Sequence, residues 1–252
     1  MKAILIFLAA HWYLSLFSQT FLDHRYAAHG AFSMSKFWER FFYIFAYITQ
    51  GSSYMSPRAY GIMHRLHHAY TDTAQDPHSP RFSKGVIDMM LRTNKVYLGI
   101  YKHTLTPDAR FLKNIPDWPA FDRWAMSYTS SLLWVLIYIG YYVYFASSFW
   151  WYLLIPVHVF MGPIHGTIIN WFAHKYGYSN FEMNNTSKNL LPLDILMMGE
   201  SYHNNHHKFP SRVNFGYKWH ELDPTYLVMK LLSWLGVIHF NKLATQRVAT
   251  EF

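Results

Sequence analysis

Polar and apolar positions fall in long blocks along this chain. Between Arg123 and Lys175 there is no Asp, Glu, Lys or Arg, so residues 124–174 form an uncharged stretch of 51 residues. A helix rises about 1.5 Å per residue, so about 20 residues cross the ~30 Å hydrocarbon core of a bilayer. The stretch therefore holds two spans, 128–145 and 149–171, joined by a turn at Ala146-Ser147-Ser148. Pro156 and Pro163 predict a kink in the second of them. A further span is expected at 3–22. Lys2 followed by an apolar run has the look of a signal peptide, but no small-x-small cleavage site follows and His24 comes at once, which favours a span. Three shorter apolar runs, Phe41–Ile48, Leu190–Met198 and Tyr226–Ile238, are too short to cross and read as interfacial segments. The expected fold is all-α: one integral membrane domain over 1–252, with about three transmembrane helices, interfacial helices and a cytosolic cap.

Charge sets the topology. Residues 23–123 carry thirteen Lys or Arg and residues 175–252 carry eight, whereas the 146–149 turn has none and the N-terminal tail only Lys2. The positive-inside rule puts both polar regions in the cytosol and the N-terminus outside. One crossing followed by two more returns the chain to the same side, so residues before and after the hairpin can share a site.

Composition supports lipid over water. Charged residues make up 14% and aromatics 20%, against about 25% charged in soluble domains. Cysteine is absent, which excludes disulfides, thiolate metal sites and a Cys nucleophile. The net charge of +8 is spread along the chain with no nucleic-acid-binding motif, so no nucleic-acid partner is expected.

Histidine carries the chemistry. His64, His67 and His68 repeat the H-x-x-H-H form of His203, His206 and His207; at this histidine frequency one such motif arises by chance roughly 0.06 times in the chain. Positions i, i+3 and i+4 share a helical face, so each motif aims three imidazoles at one point. His24 and His29 are five apart, which on an α-helix is about 140° around the axis; the pair is expected to straddle the cytosolic end of the first span. His174 is the ninth candidate. Clustered neutral imidazoles suit zinc, copper, iron or nickel. Nine exceed one ion's needs and match two, with no carboxylate pair nearby. Asp23 and Glu200 are expected to orient imidazole N–H groups. Asn170 either holds a metal-bound water or bonds a backbone carbonyl, and His165 reaches the site edge. His78 reads as a turn residue or one that supports a ligand, His158 as packing or the same kind of support, and His11 as ordinary.

These motifs together resemble the three histidine boxes of membrane fatty acid desaturases, closest to the acyl-CoA (stearoyl-CoA-like) branch. HRLHHAYTDTAQDPHSP over 64–80 is similar to the second-box region, NWFAHKYGY over 170–178 to an Asn-x-x-x-His element, and GESYHNNHHKFP over 199–210 to the third box. The resemblance implies two iron ions held by His24, His29, His64, His67, His68, His174, His203, His206 and His207, with a water on Asn170. It implies O2-dependent formation of a cis double bond in a long acyl chain, with a membrane hydroxylase or alkane-type monooxygenase as the alternative. Electrons would come from a separate donor: ferredoxin, rubredoxin, or a b-type cytochrome with its reductase. The expected setting is a bacterial inner membrane. Related chains commonly place two spans before the first box, where this one has room for one. Tyr60-Gly61-Ile62-Met63 stands where animal enzymes carry a Trp and an Arg-Asp pair, leaving acyl-CoA, acyl carrier protein and acyl-lipid all open as carriers.

Overall fold

The computed structural model describes residues 2–241; the expected domain limits at 1 and 252 lie outside them. The first apolar run becomes α1 (Lys2–Ser18), which continues unbroken into a π-helical segment, Gln19–Ala28. At 27 residues it is the one helix among those described that is long and apolar enough to cross a membrane, or one of two if a bent pair further on counts as a span.

After a short strand, β1 (Phe32–Met34), α2 (Lys36–Gln50) turns back along α1. Ser35 caps it by accepting from the Trp38 amide. One face buries Phe42, Tyr43 and Ala46 against Phe21 and Leu22. The other exposes Phe37, Phe41, Ile44 and Ile48, at i, i+4, i+7 and i+11. That stripe is the apolar run read as interfacial, now the outer face of a 15-residue helix.

The second histidine motif lies on α3 (Pro57–Tyr70), which starts with Pro57 in its first turn and Ser56 as its cap. α3 crosses the π-helical segment at Gly61. A Cβ there would stand 3.0 Å from the Ala27 carbonyl carbon and oxygen, so any side chain would push this backbone apart by a few tenths of an ångström. Arg65 locks the crossing, donating to the carbonyls of Ala27, Ala28, Phe111 and Lys113. The amphipathic α4 (Val86–Tyr101) follows, then α5 (Pro119–Ala125) and α6 (Tyr128–Phe145). α6 covers the second expected span. It packs closely where Gly51 meets Tyr138, with room for no side chain.

The third expected span, 149–171, is not one helix. It begins as a 3-10 turn, Phe149–Leu154, continues as α7 (Ile155–Val159) and α8 (Met161–Asn170), and bends by 64° between them. Pro156 and Pro163 sit within the first turns of α7 and α8, where a missing N–H costs least, so they start helices instead of kinking one. The run 190–198 is also not helical. It is a turn wrapped around the buried Asp194, whose carboxylate accepts from the amides of Met197, Gly199 and Ser201. The third motif lies on α9 (His203–Lys208). α10 (Pro224–Trp234) leads to β2 (Ile238–Phe240), which pairs antiparallel with β1, Phe32 opposite Phe240. This two-stranded clasp is the only sheet among the described residues of a mostly helical fold.

Candidate metal centre

Four elements bring nine imidazoles together. The π-helical segment supplies His24 and, at its end, His29; α3 supplies His64, His67 and His68; a 3-10 turn after α8 supplies His174; α9 supplies His203, His206 and His207. The nitrogens fall into two groups, His24, His29, His64, His68 and His206 in one and His67, His174, His203 and His207 in the other.

The 140° separation expected for His24 and His29 does not occur. Backbone bonds in a π-helix run from i to i+5, and here the His29 amide donates to the His24 carbonyl at 3.2 Å. Residues five apart then stack, and the two rings stand 5.0 Å apart.

Within the groups, Nε2 faces Nε2: His24 to His206 at 2.9 Å, His68 to His64 and to His206 at 2.9 Å, His67 to His207 at 3.1 Å, and His203 to His174 and to His207 at 3.0 Å. Three of the outer nitrogens have other partners, while Nδ1 of His203 and of His206 is buried with none. His24 Nδ1 lies 2.7 Å from Glu200, His67 Nδ1 2.9 Å from Asp76, and His174 Nδ1 3.1 Å from the Thr186 hydroxyl with Asp72 at 3.9 Å. A neutral imidazole has one ring hydrogen. Once Nδ1 gives it to a carboxylate, Nε2 is a bare lone pair. His24 and His67 thus turn bare lone pairs toward their groups, where a cation would take them together with the neighbouring Nε2 atoms. Two nitrogens about 2.1 Å from one ion and ~90° apart would stand about 3.0 Å from each other, so the donor set fits a metal.

Burial, aided by neighbouring imidazoles, holds His64, His68, His203, His206 and His207 well below the usual histidine range, and burial with His174 beside it does the same for His67. All are thus kept in the neutral form that a metal would require. Burial alone would push the Glu200 carboxyl up, but His24 and the Arg25 guanidinium hold it down at about 2.

The expected orienting residues divide. Glu200 bonds His24, not the His203 three residues ahead of it, because α9 begins only at His203 and Glu200 sits in the preceding turn. Asp23 touches no imidazole. The π winding turns it toward α2, where it accepts from Gln50 Nε2 at 2.9 Å. His165 belongs to neither group; it contacts Gln19 at 3.3 Å and Trp12 and lines the cavity that reaches His24, His64 and His203. Asn170 ends α8 and lines a cavity beside His203.

Other residues carry more of the site than their positions in the sequence suggest. Arg25 is fully buried, bridging Glu200 at 3.1 Å and Asp223 at 2.7 Å with its guanidinium 3.7 Å over the Phe215 ring. Asn189 accepts from the amides of Asn204 and Asn205, capping the start of α9 from a distant loop, and Asn205 in turn donates to Glu221. A charge inside the first motif and an Asp in Asp76-Pro77-His78 were the available signals; the Asn–Glu network had none. His78 is buried with its ring 4.1 Å from His67. His11 is not an ordinary surface residue, since its Nδ1 lies 2.7 Å from His158 Nδ1, and Tyr142 meets the far side of His158 at 3.0 Å.

A cavity of about 870 Å³ ends at His24, His64 and His203 and runs out between α4 and α8 past Leu16, Met63, Met90, Tyr97, Ile164 and Ile168. It lies within the usual range for ligand sites.

Comparison with known proteins agrees with this arrangement. The fatty acid desaturase family model matches residues 2–236. The Delta-9 desaturase-like 4 protein of Arabidopsis thaliana is 28% identical over 92% of this chain and 74% of its own length. The Delta-9 acyl-lipid desaturase 2 of the same plant is 26% identical over 88% and 69%. The acyl-CoA C20 Delta5-desaturase of Anemone leveillei is 27% identical over 94% and 72%. Matched by the family model along nearly its whole length, the chain belongs to the fatty acid desaturase family.

Proposed function

We propose that this enzyme introduces a cis double bond into a long acyl chain at a histidine-ligated di-iron centre. The nine residues that would hold the irons are His24, His29, His64, His68 and His206 in one group and His67, His174, His203 and His207 in the other, and Asn170, which lines the cavity, would hold a water. Two irons bound there would supply the oxidising power that an unactivated methylene C–H requires. The reaction balances as –CH2–CH2– + O2 + 2 e⁻ + 2 H⁺ → –CH=CH– + 2 H2O. The electrons come from a ferredoxin, a rubredoxin, or a b-type cytochrome with its reductase.

The single observation that carries this reading is two converging imidazole groups whose His24, His64 and His203 line one apolar cavity. The cavity walls hold the chain and exclude water; Glu200 and Asp76 fix the His24 and His67 rings. Three crossings, with the N-terminus outside and the site on the cytoplasmic side, agree with the charge distribution, and the membrane would be a bacterial inner membrane.

Mass spectrometry of host lipids with and without expression tests the reading. New double bonds are expected, their position and chain length read from the fragments. Oxygen retained in the acyl product would instead mark a membrane hydroxylase using the same nine histidines.

A further inference from the structure

The cavity changes character along its length. Its inner end is polar, at His24, His64, His203 and Glu200, while no Lys or Arg lines it anywhere among the described residues. Its rim is apolar and faces outward: Ile87 and Leu91 on α4 are 71% and 65% exposed, and Phe160, at the break between α7 and α8, is 57% exposed. On α4, Ile87, Leu91, Asn94 and Leu98 fall at i, i+4, i+7 and i+11, one line along the helix that borders the cavity. The exposed Lys84 and Lys95 adjoin this line. An apolar edge flanked by lysines is how a helix lies in a bilayer interface, its methyl groups in the acyl region and its ammonium groups at the headgroups. The bend after Phe160 leaves α8 diverging from α7 along the same opening.

We propose that the cavity opens sideways into the bilayer between α4 and α8, and that the substrate is an acyl chain still esterified to a membrane lipid. This inference rests on the desaturase reading and names its acyl carrier. A lipid's chain already lies at hydrocarbon depth. Sliding it past Ile87 and Leu91 exchanges one apolar surrounding for another, and the phosphate stays at the interface beside Lys84 and Lys95. Coenzyme A would bring several phosphates to a cavity with no lining cation. The other basic residue on this side of α4, Arg92, is committed to the Phe82 carbonyl and the Ser83 hydroxyl.

The holoenzyme is reconstituted in vesicles of saturated phosphatidylglycerol and phosphatidylethanolamine, with ferredoxin, rubredoxin and cytochrome b systems supplied in turn, and compared with the same protein given stearoyl-CoA. Intact-lipid mass spectrometry is expected to find double bonds in the phospholipid, formed roughly tenfold or more faster than in stearoyl-CoA. Faster turnover of stearoyl-CoA overturns the inference and leaves the desaturase reading standing. No double bond in either arm sinks that reading, and this inference with it. A second measurement needs no turnover: a phosphatidylcholine with a diazirine in mid-chain is expected to label the buried wall residues Met63 and Tyr97, and unlabelled phospholipid but not stearoyl-CoA should compete. Labelling confined to outer residues such as Ile48 and Leu136 overturns it.

Discussion

Glu200 and Asp23 separate two roles that look alike in the sequence, since each carboxylate lies within three residues of a histidine motif. Glu200 accepts from His24 Nδ1 and from Arg25, whereas Asp23 accepts from Gln50. A carboxylate behind a ligating imidazole raises its basicity and fixes its ring, and removing one typically costs about 10–100-fold in metal affinity. Glu200→Gln is therefore expected to weaken metal binding by about that factor, read as iron per chain against a competing chelator. Asp23→Asn should leave the same titration unchanged. Equal losses in both variants would mean that the two carboxylates support the centre alike. The motif residues were legible because their spacing repeats and because histidine is scarce enough for the repeat to stand out. Of the partners behind them, Glu200 was legible as an orienting carboxylate, but which ring each partner serves was not. Asp76, Glu221 and Asn189 reach their targets across loops, and no periodicity records which loop folds over which helix.

At the scale of elements, the first histidine pair depends on an unusual helix. An α-helical reading of Gln19–Ala28 separates His24 from His29, and only i→i+5 winding brings them together. Nothing in the composition of that segment announces the change. The winding is held from outside, by Arg65 on the carbonyls of Ala27 and Ala28 and by the contact at Gly61. Gly61→Val forces a side chain into the Ala27 carbonyl, and overpacking of this kind costs about 1–3 kcal/mol. Since the strain falls on the turn between His24 and His29, the variant is expected to bind fewer than two irons per chain as well as to melt earlier. Gly140→Ala on α6 is the control: a Cβ there meets nothing within 4 Å, and replacing a helical glycine is worth up to about 1 kcal/mol in the stabilising direction. A Gly61→Val protein with full metal content and unchanged melting would remove the crossing from the account of the site. The broken helix over the third expected span shows the opposite case, where Pro156 and Pro163 signalled a disturbance and the 64° bend settled its form.

For the whole molecule, the imidazoles tie together segments from both halves of the chain, the first motif near the N-terminus and the third beyond the apolar hairpin. Blocks of hydrophobicity and the distribution of Lys and Arg made that meeting legible without any contact being known. The tie has a consequence for stability. Burial depresses the folded-state pKa values of His64, His67, His68, His203, His206 and His207 below the unfolded value of about 6.5. Below that pH the unfolded chain binds protons that the folded chain refuses, so stability is full above about pH 6.5 and falls as the solution is acidified. Each such group adds about 1.4 kcal/mol per pH unit to the slope while only the unfolded state titrates. Iron held as proposed would take the neutral form and stabilise the fold further, by about 2.7 kcal/mol when free metal exceeds its dissociation constant a hundredfold. Chelation at pH 7.5 is thus expected to lower the melting temperature, and the metal-free protein should then melt progressively earlier from pH 7 to pH 5. Acidification of the loaded protein over the same window should release iron before the helices melt, as seen by comparing metal in the filtrate with far-ultraviolet circular dichroism. A melting temperature of the metal-free protein that stays flat from pH 7 to pH 5 would show that these imidazoles are not buried in neutral form, and the all-histidine centre would fail with them.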